Sequence, residues 1–251
     1  MSGHSKWSTI KRQKGLNDAR RSQLFTKLGR EIAAAVRQGG PDTEANIRLR
    51  FAVQRAKDGN MPLDNIDRAI KKASGQGNDG VEFIEVMYEG YGPGGAALLL
   101  QAVTDNRNRT VAEVRSTLTR NGGTMAEAGS VSWNFDSKGV ILIESCGDRV
   151  EEVALLAIDA GAEDVKIEDS SLEVFTRPED LEPVKAALEQ QVSIESADLA
   201  MVPKNIIELD AKAAIHTLKL MDKLEALDDI QRVFSNADFP PEALKAYQEE
   251  S

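Results

Sequence analysis

The residue types that build reactive or bridging centres are scarce in this chain. Among 251 residues there is one cysteine, Cys146, and there are two histidines, His4 and His216. A single thiol cannot form a disulfide within the chain, and it fits a reducing compartment. Three scattered Cys and His side chains cannot supply the four spaced ligands of a structural zinc site. A Cys–His nucleophilic pair has no local signature. There is no run of eighteen apolar residues, so no segment reads as a membrane-spanning helix. The start, Met1-Ser2-Gly3-His4-Ser5-Lys6-Trp7, has no apolar stretch of the secretory type. A cytoplasmic location is the expectation.

Catalytic and cofactor signatures are thin as well. No Gly-Lys dipeptide occurs, which excludes a P-loop of the usual type, and no G-x-S-x-G elbow occurs. Two stretches match G-x-G-x-x-G: Gly75–Gly80 and Gly90–Gly95. Dinucleotide binding needs those glycines between a strand and a helix, where the helix N-terminus meets the pyrophosphate. The first match leads into a strand and the second lies between two apolar strands, so they read as a linker and a turn. Carboxylates are plentiful but sit in charge runs such as Glu179-Asp180 and Asp228-Asp229, which read as solvated faces. His216 reads as a surface or boundary residue and Cys146 as a strand-end thiol. Trp133 and Phe135 alternate with polar neighbours and read as core. No cofactor, no metal, no small-molecule substrate and no enzymatic activity are expected.

What the chain does have is a core and a charge gradient. Hydrophobic residues make up 41% of the chain and charged residues 29%, a balance that supports packed cores rather than disorder. The net charge is −10. Residues 1–75 hold 16 Lys and Arg against 7 Asp and Glu, a net of +9. Residues 76–145 are at −4 and residues 146–251 at −15. A basic block joined to an acidic one suggests a polyanion-facing module on a soluble carrier.

Periodicity divides the chain further. Leu24, Leu28, Ile32 and Val36 recur every four residues, and Gly39-Gly40-Pro41 ends that helix. A second helix is expected from Asp42 or Thr43 to Asp58, with Ala45, Leu49, Ala52, Val53 and Ala56 inward. Pro62 opens a third, with Leu63, Ile66 and Ile70 on one face. Helices this short must pack as a bundle. The segment before Ser22 has no apolar period and reads as a mobile basic arm. Beyond the Gln76–Gly80 linker, strands are expected at Phe83–Tyr88 and Ala96–Val103. A helix follows over Thr110–Arg120, opened by a Thr110/Glu113 capping box. Ser130–Phe135 and Val140–Glu144 read as a hairpin around Ser137-Lys138-Gly139.

Residues 131–204 then read strand-helix-strand-strand-helix-strand, the ferredoxin-like unit. The pieces on either side, with a strand at 205–210, a helix at 212–227 and a strand at 231–236, combine into a second α/β layer around it. The expected domains are 1–78 (basic arm and helical bundle), 79–130 with 205–240 (split α/β), 131–204 (inserted) and a tail at 241–251.

Two basic features point to chemistry. The arm residues Lys6, Lys11, Arg12, Lys14, Arg20 and Arg21, with Lys27, Arg30 and Arg37 on the first helix, form a dense cationic set of the kind that neutralises phosphates and releases counterions. Arg107 and Arg109 stand before the expected helix start at Thr110, where the helix dipole disfavours cations by about 0.3–1 kcal/mol each. Either a bound anion relieves them, or Asp105 or Glu89 neutralises them. No helix-turn-helix pattern is clear, and no recognition helix with the Arg/Asn/Gln set for base edges stands out.

Several motifs together resemble one family: Gly3-His4-Ser5-Lys6-Trp7, Ile10–Gly15, Phe25-Thr26-Lys27-Leu28, Asn60-Met61-Pro62, Tyr88–Gly95, Thr104–Thr110 and Gly129-Ser130-Val131-Ser132-Trp133. In combination they resemble the YebC/PmpR family, whose mitochondrial relatives include the translational activator of cytochrome c oxidase subunit one. Position 47 departs from the pattern, with isoleucine where the family has proline. The resemblance implies an α+β multidomain protein: an N-terminal helical bundle followed by two ferredoxin-like α/β domains, one inserted in the other. It implies no enzyme activity and a nucleic-acid partner. The family is described in two ways, as a DNA-binding transcriptional regulator and as a ribosome-associated translation factor that relieves difficult messages.

Overall fold

The structure, a computed structural model, describes residues 18–76, 83–144, 146–168 and 171–250. They fall into two compact units. One comprises the described residues up to 130 together with Ile215–Val233; the other comprises Val131–Ala214 together with the described residues from 234.

The first unit begins with three helices: α1 (Asp18–Gly39), α2 (Ile47–Asp58) and α3 (Leu63–Lys71). Leu28, Ile32, Ala35 and Val36 of α1 meet Leu49, Ala52 and Ala56 of α2 and Ile66 of α3 in one core. One buried side chain, Asn46, shapes the α1–α2 connection. Its Oδ1 accepts from Leu49 N–H at 3.0 Å and caps α2. Its Nδ2 donates to the carbonyls of Ala35 and Gly40 at 2.8 Å, closing the end of α1. Gly40 adopts φ 85° there, the left-handed cap that glycine tolerates best. The second helix therefore starts at Ile47, later than the sequence suggests, and Ala45 is exposed.

A four-stranded sheet completes the first unit, in the order β3 (Thr124–Ala126), β1 (Ile84–Tyr91), β2 (Ala97–Thr104), β9 (Ile230–Ser235). β1 is antiparallel to both β2 and β3. Helix α4 (Arg107–Arg120) thus connects two parallel strands, β2 and β3, with β1 between them. That is the split β-α-β of a ferredoxin-like sheet. β2 is interior, and Leu98, Leu99 and Leu100 are fully buried, which explains its unbroken apolar run. Pro93–Gly95 forms the turn between β1 and β2, so the second glycine-rich match leads from strand to strand. Residues 77–80 of the first match lie outside the described residues.

The second unit is a βαββαβ fold: β4 (Phe135–Ile143), α5 (Val150–Asp159), β5 (Asp164–Glu168), β6 (Ser171–Thr176), α6 (Leu181–Leu188) and β7 (Ser196–Pro203). Its strands lie in the order β5-β6-β4-β7 with every neighbour antiparallel. This is the ferredoxin-like arrangement. Val153 and Ala157 of α5 and Leu181, Val184 and Leu188 of α6 are buried with Ile141, Ile143, Leu172 and Val174 of the sheet.

Three local expectations are corrected in this unit. Ser137-Lys138-Gly139 is not a hairpin turn; it lies inside β4, paired with Met201, Ala200 and Leu199. Gly139 is there for closeness of approach, since a Cβ on it would lie 2.3 Å from Thr176 Oγ1 and 2.8 Å from Leu181 Cβ. Trp133 is not core but 63% exposed. A 3-10 turn over Ser132–Asn134 breaks the strand alternation, and Asn134 clamps that turn by exchanging hydrogen bonds with Asn205 at 2.9–3.0 Å. Finally, the expected strand at 205–210 is only β8 (Ile207–Glu208), which pairs in parallel with β10 (Ala237–Asp238) rather than with β1 and β2. Helices α7 (Ala211–Glu225) and α8 (Pro241–Glu250) complete the chain.

Gly139→Ala is expected to destabilise the protein by about 1–3 kcal/mol, the usual cost of overpacking. Denaturant unfolding followed by circular dichroism checks it. An unchanged midpoint would mean that Thr176 and Leu181 move aside freely.

Candidate nucleic-acid interface

The basic residues selected from the sequence separate into two groups, and a residue missed by sequence reasoning divides them. Asp229 belongs to what reads as a solvated Asp-Asp pair, yet it is 1% exposed. It follows α7 at the entry to β9, where its carbonyl accepts from Val103 N–H of β2 at 2.8 Å. Its carboxylate gathers groups from three elements. Arg30 of α1 donates to Oδ1 at 2.7 Å. Arg109 of α4 donates to Oδ2 at 2.7 Å. Thr104 and Thr110 place their hydroxyl oxygens 3.0 and 2.7 Å from Oδ2. Burial disfavours the ionised form, but the bonds from Arg109, Thr110 and Thr104 outweigh it and hold the carboxyl below its ordinary pKa.

The Thr104–Thr110 motif is therefore a scaffold around Asp229. The helix start is corrected with it. Asn106, not Thr110, caps α4, accepting from Arg109 N–H at 3.1 Å, and Thr110 sits in the first turn, buried. Thr104 Oγ1 accepts from Asn106 N–H at 2.9 Å, so the cap itself hangs on the same cluster. Arg109 also reaches Asp105 at 2.7 Å. These two carboxylates raise its pKa further above an already high value. Glu89, the other candidate neutraliser, instead accepts from Gly129 N–H at 2.8 Å.

Lys27 and Arg30 are likewise structural. Lys27 is 9% exposed, and its Nζ donates to the carbonyls of Glu225 and Ile230 at 2.5 and 2.6 Å. Arg30 adds a bond to the Asp228 carbonyl at 2.8 Å and stacks over the Phe83 ring at 5.6 Å. Gln23 contributes bonds to the Ala226 carbonyl and the Asp228 carboxylate. One edge of α1 is thus bolted to the α7–β9 connection, because the carbonyls that end α7 need donors.

The other group is exposed. Arg107, at the first turn of α4, faces solvent, as do Arg21 and Arg37 of α1. Lys6, Lys11, Arg12 and Lys14 lie outside the described residues, as does the side chain of Arg20. Cys146 is buried, and burial pushes its thiol pKa up against the opposing pull of Arg149, the reverse of what a nucleophilic cysteine needs. His216 is exposed. Among the described residues no three His, Cys, Asp or Glu side chains gather as a metal site would require. No helix among them is long and apolar enough to cross a membrane.

The described residues thus combine exposed cations with a fold clasped by a buried carboxylate. Comparison with known proteins gives the family. The profile described as TACO1/YebC protein N-terminal domain matches residues 5–76, and that of the TACO1/YebC second and third domain matches residues 83–237. The chain belongs to the TACO1/YebC family. It is 54% identical to a "probable transcriptional regulatory protein" of Dehalococcoides mccartyi, covering all of both chains. It is 49% identical, again over all of both chains, to one of Halothermothrix orenii. The crystal structure of a conserved hypothetical protein from Aquifex aeolicus superposes with a TM-score of 0.78 at 45% identity, covering 89% of this chain and 92% of that one.

Asp229→Asn is expected to lower stability at neutral pH by about 2–4 kcal/mol, discounted from the ~3–5 kcal/mol of a broken buried pair because Arg109 reaches solvent. A carboxyl with a depressed folded pKa stabilises above its unfolded value of about 4 and loses that contribution as pH falls through the folded value. The gap between wild type and Asp229→Asn should therefore close at acid pH. Urea titrations from neutral to acid pH measure it; a constant gap would show that the charge of Asp229 is immaterial.

Proposed function

We propose that this protein is a non-enzymatic regulator of gene expression that binds nucleic acid, with duplex DNA as its target. The observation that carries the reading is the concentration of basic charge in residues 1–75, a net of +9 on a chain of net −10. The basic N-terminal arm supplies the phosphate contacts, joined by the exposed cations Arg21 and Arg107. The names of the full-length relatives support regulation of transcription.

The distinction between cations held in the scaffold and the remaining basic residues sharpens the site. Lys27, Arg30 and Arg109 act by holding the scaffold; Lys6, Lys11, Arg12, Lys14, Arg20, Arg21 and Arg107 act by neutralising phosphate. Affinity for duplex DNA should fall steeply with salt, and removal of residues 1–17 should flatten that slope while leaving thermal unfolding unchanged. Salt-dependent fluorescence anisotropy tests this, and a slope near zero for the full chain sinks the reading. Sedimentation of a lysate provides the cellular control: travel with ribosomes rather than DNA would move the target to ribosomal RNA.

The two α4 arginines should behave oppositely. Arg109→Ala is expected to lower the melting temperature and leave the salt slope alone. Arg107→Ala should keep the melting temperature and make the slope shallower by about 0.9. The same pair of measurements on both variants decides it, and identical behaviour of the two would refute the division.

A further inference from the structure

The outward face of α4 carries side chains that form no hydrogen bond or ion pair among the described residues. Thr110, Val114 and Leu118 form its buried side. At 100° per residue, Asn108, Ala112 and Thr119 lie on the far side and Arg115 at its edge, all exposed, with Ser116 half-buried beside them. These residues line a shallow, open hollow along the helix. Arg107 and Arg120 stand at the two flanks, also exposed. Among the described residues, the side chains of Arg107, Arg115 and Arg120 make no hydrogen bond or ion pair, and the only acid of the helix, Glu113, is half-buried. Arg109, the one α4 arginine that is ion-paired, is turned to Asp229 and Asp105.

We infer that this face of α4 is a major-groove reading surface for duplex DNA, resting on the nucleic-acid reading above. Asn108, Arg115 and Thr119 run along it, toward base edges; Arg107 and Arg120 flank them, toward phosphates. The residue types suit the task. Arginine pairs with the O6 and N7 acceptors of guanine, asparagine with N6 and N7 of adenine, threonine and serine with either, and a small apolar side chain such as Ala112 with the thymine methyl. Ala112 and Ser116 at the centre keep the surface low, so the helix backbone can approach the groove floor. The B-form major groove is about 12 Å wide and admits one helix. The A-form groove of duplex RNA is too deep and narrow for these side chains, and the face carries no aromatic ring on which an unpaired RNA base would stack. The helix is also pre-organised: its cap at Asn106 and its first turn at Arg109 and Thr110 are held by the Asp229 cluster, so docking costs little further ordering.

The test uses the full-length protein with a random-sequence DNA duplex and a single-stranded RNA of equal length, titrated with salt. Two variants are compared with wild type: Arg115→Ala/Thr119→Ala/Arg120→Ala, and Ala112→Glu. The second removes no cation, changes an exposed position and keeps a good helix former. Both are expected to bind the duplex about tenfold more weakly or worse while retaining the wild-type melting temperature. The triple variant should also show a salt slope shallower by about 0.9 for each phosphate it no longer neutralises. Wild-type affinity in Ala112→Glu overturns the inference, whether or not the triple variant folds. A weakening seen on RNA but not on duplex DNA overturns it as well. If wild type itself binds no duplex, the broader nucleic-acid reading fails and this one falls with it; if wild type binds and the variants match it, only this inference fails.

Discussion

A single buried carboxylate organises the first unit of this protein. Asp229 is removed from water, which for an isolated ion is costly. It stays charged because Arg30, Arg109 and two threonine hydroxyls surround it. Those partners come from three places: the helical bundle, the first turn of α4, and the end of β2. The cost of burial is thereby converted into a requirement that all three be present together. The cluster joins the bundle to the sheet, sets the cap of α4, and fixes where that helix points.

The same cluster changes the meaning of the positive charge. Density of Lys and Arg reads as a phosphate-binding surface when each cation is counted equally. In the folded chain, Lys27 is occupied by the last carbonyls of α7 and its neighbour strand, and Arg30 and Arg109 by Asp229. These cations are scaffold. Among the described residues of α4, the arginines left exposed without an ion pair are Arg107, Arg115 and Arg120. Two arginines of one helix only two residues apart thus differ in kind: Arg109 is ion-paired to Asp229 and Asp105, and Arg107 faces solvent.

Much of the architecture is legible from local pattern. The four-residue apolar spacing of α1, the unbroken run of β2 and the βαββαβ order of residues 131–204 each follow from burying one face, or two, of a regular element. The failures share a cause. Gly139 reads as a turn because glycine usually marks one, but here it makes room for Thr176 and Leu181 from distant parts of the chain. Trp133 reads as core because it alternates with polar neighbours as in a strand, but a short 3-10 turn rotates it outward. Thr110 reads as a cap because Glu113 follows at the right spacing, whereas Asn106 four residues earlier takes that place.

By itself the sequence determined the fold class, the succession of helices and strands, the charge gradient and the family, because these depend on periodicity, composition and motif, all of which are local or additive. The tertiary structure alone decided which charges are free. That question turns on partners about 120 or 200 positions apart, Arg109 and Arg30 with Asp229, and no spacing rule reaches so far. A buried ion pair leaves no periodic trace in a sequence; it exists only where folding has brought two opposite charges out of water and next to each other.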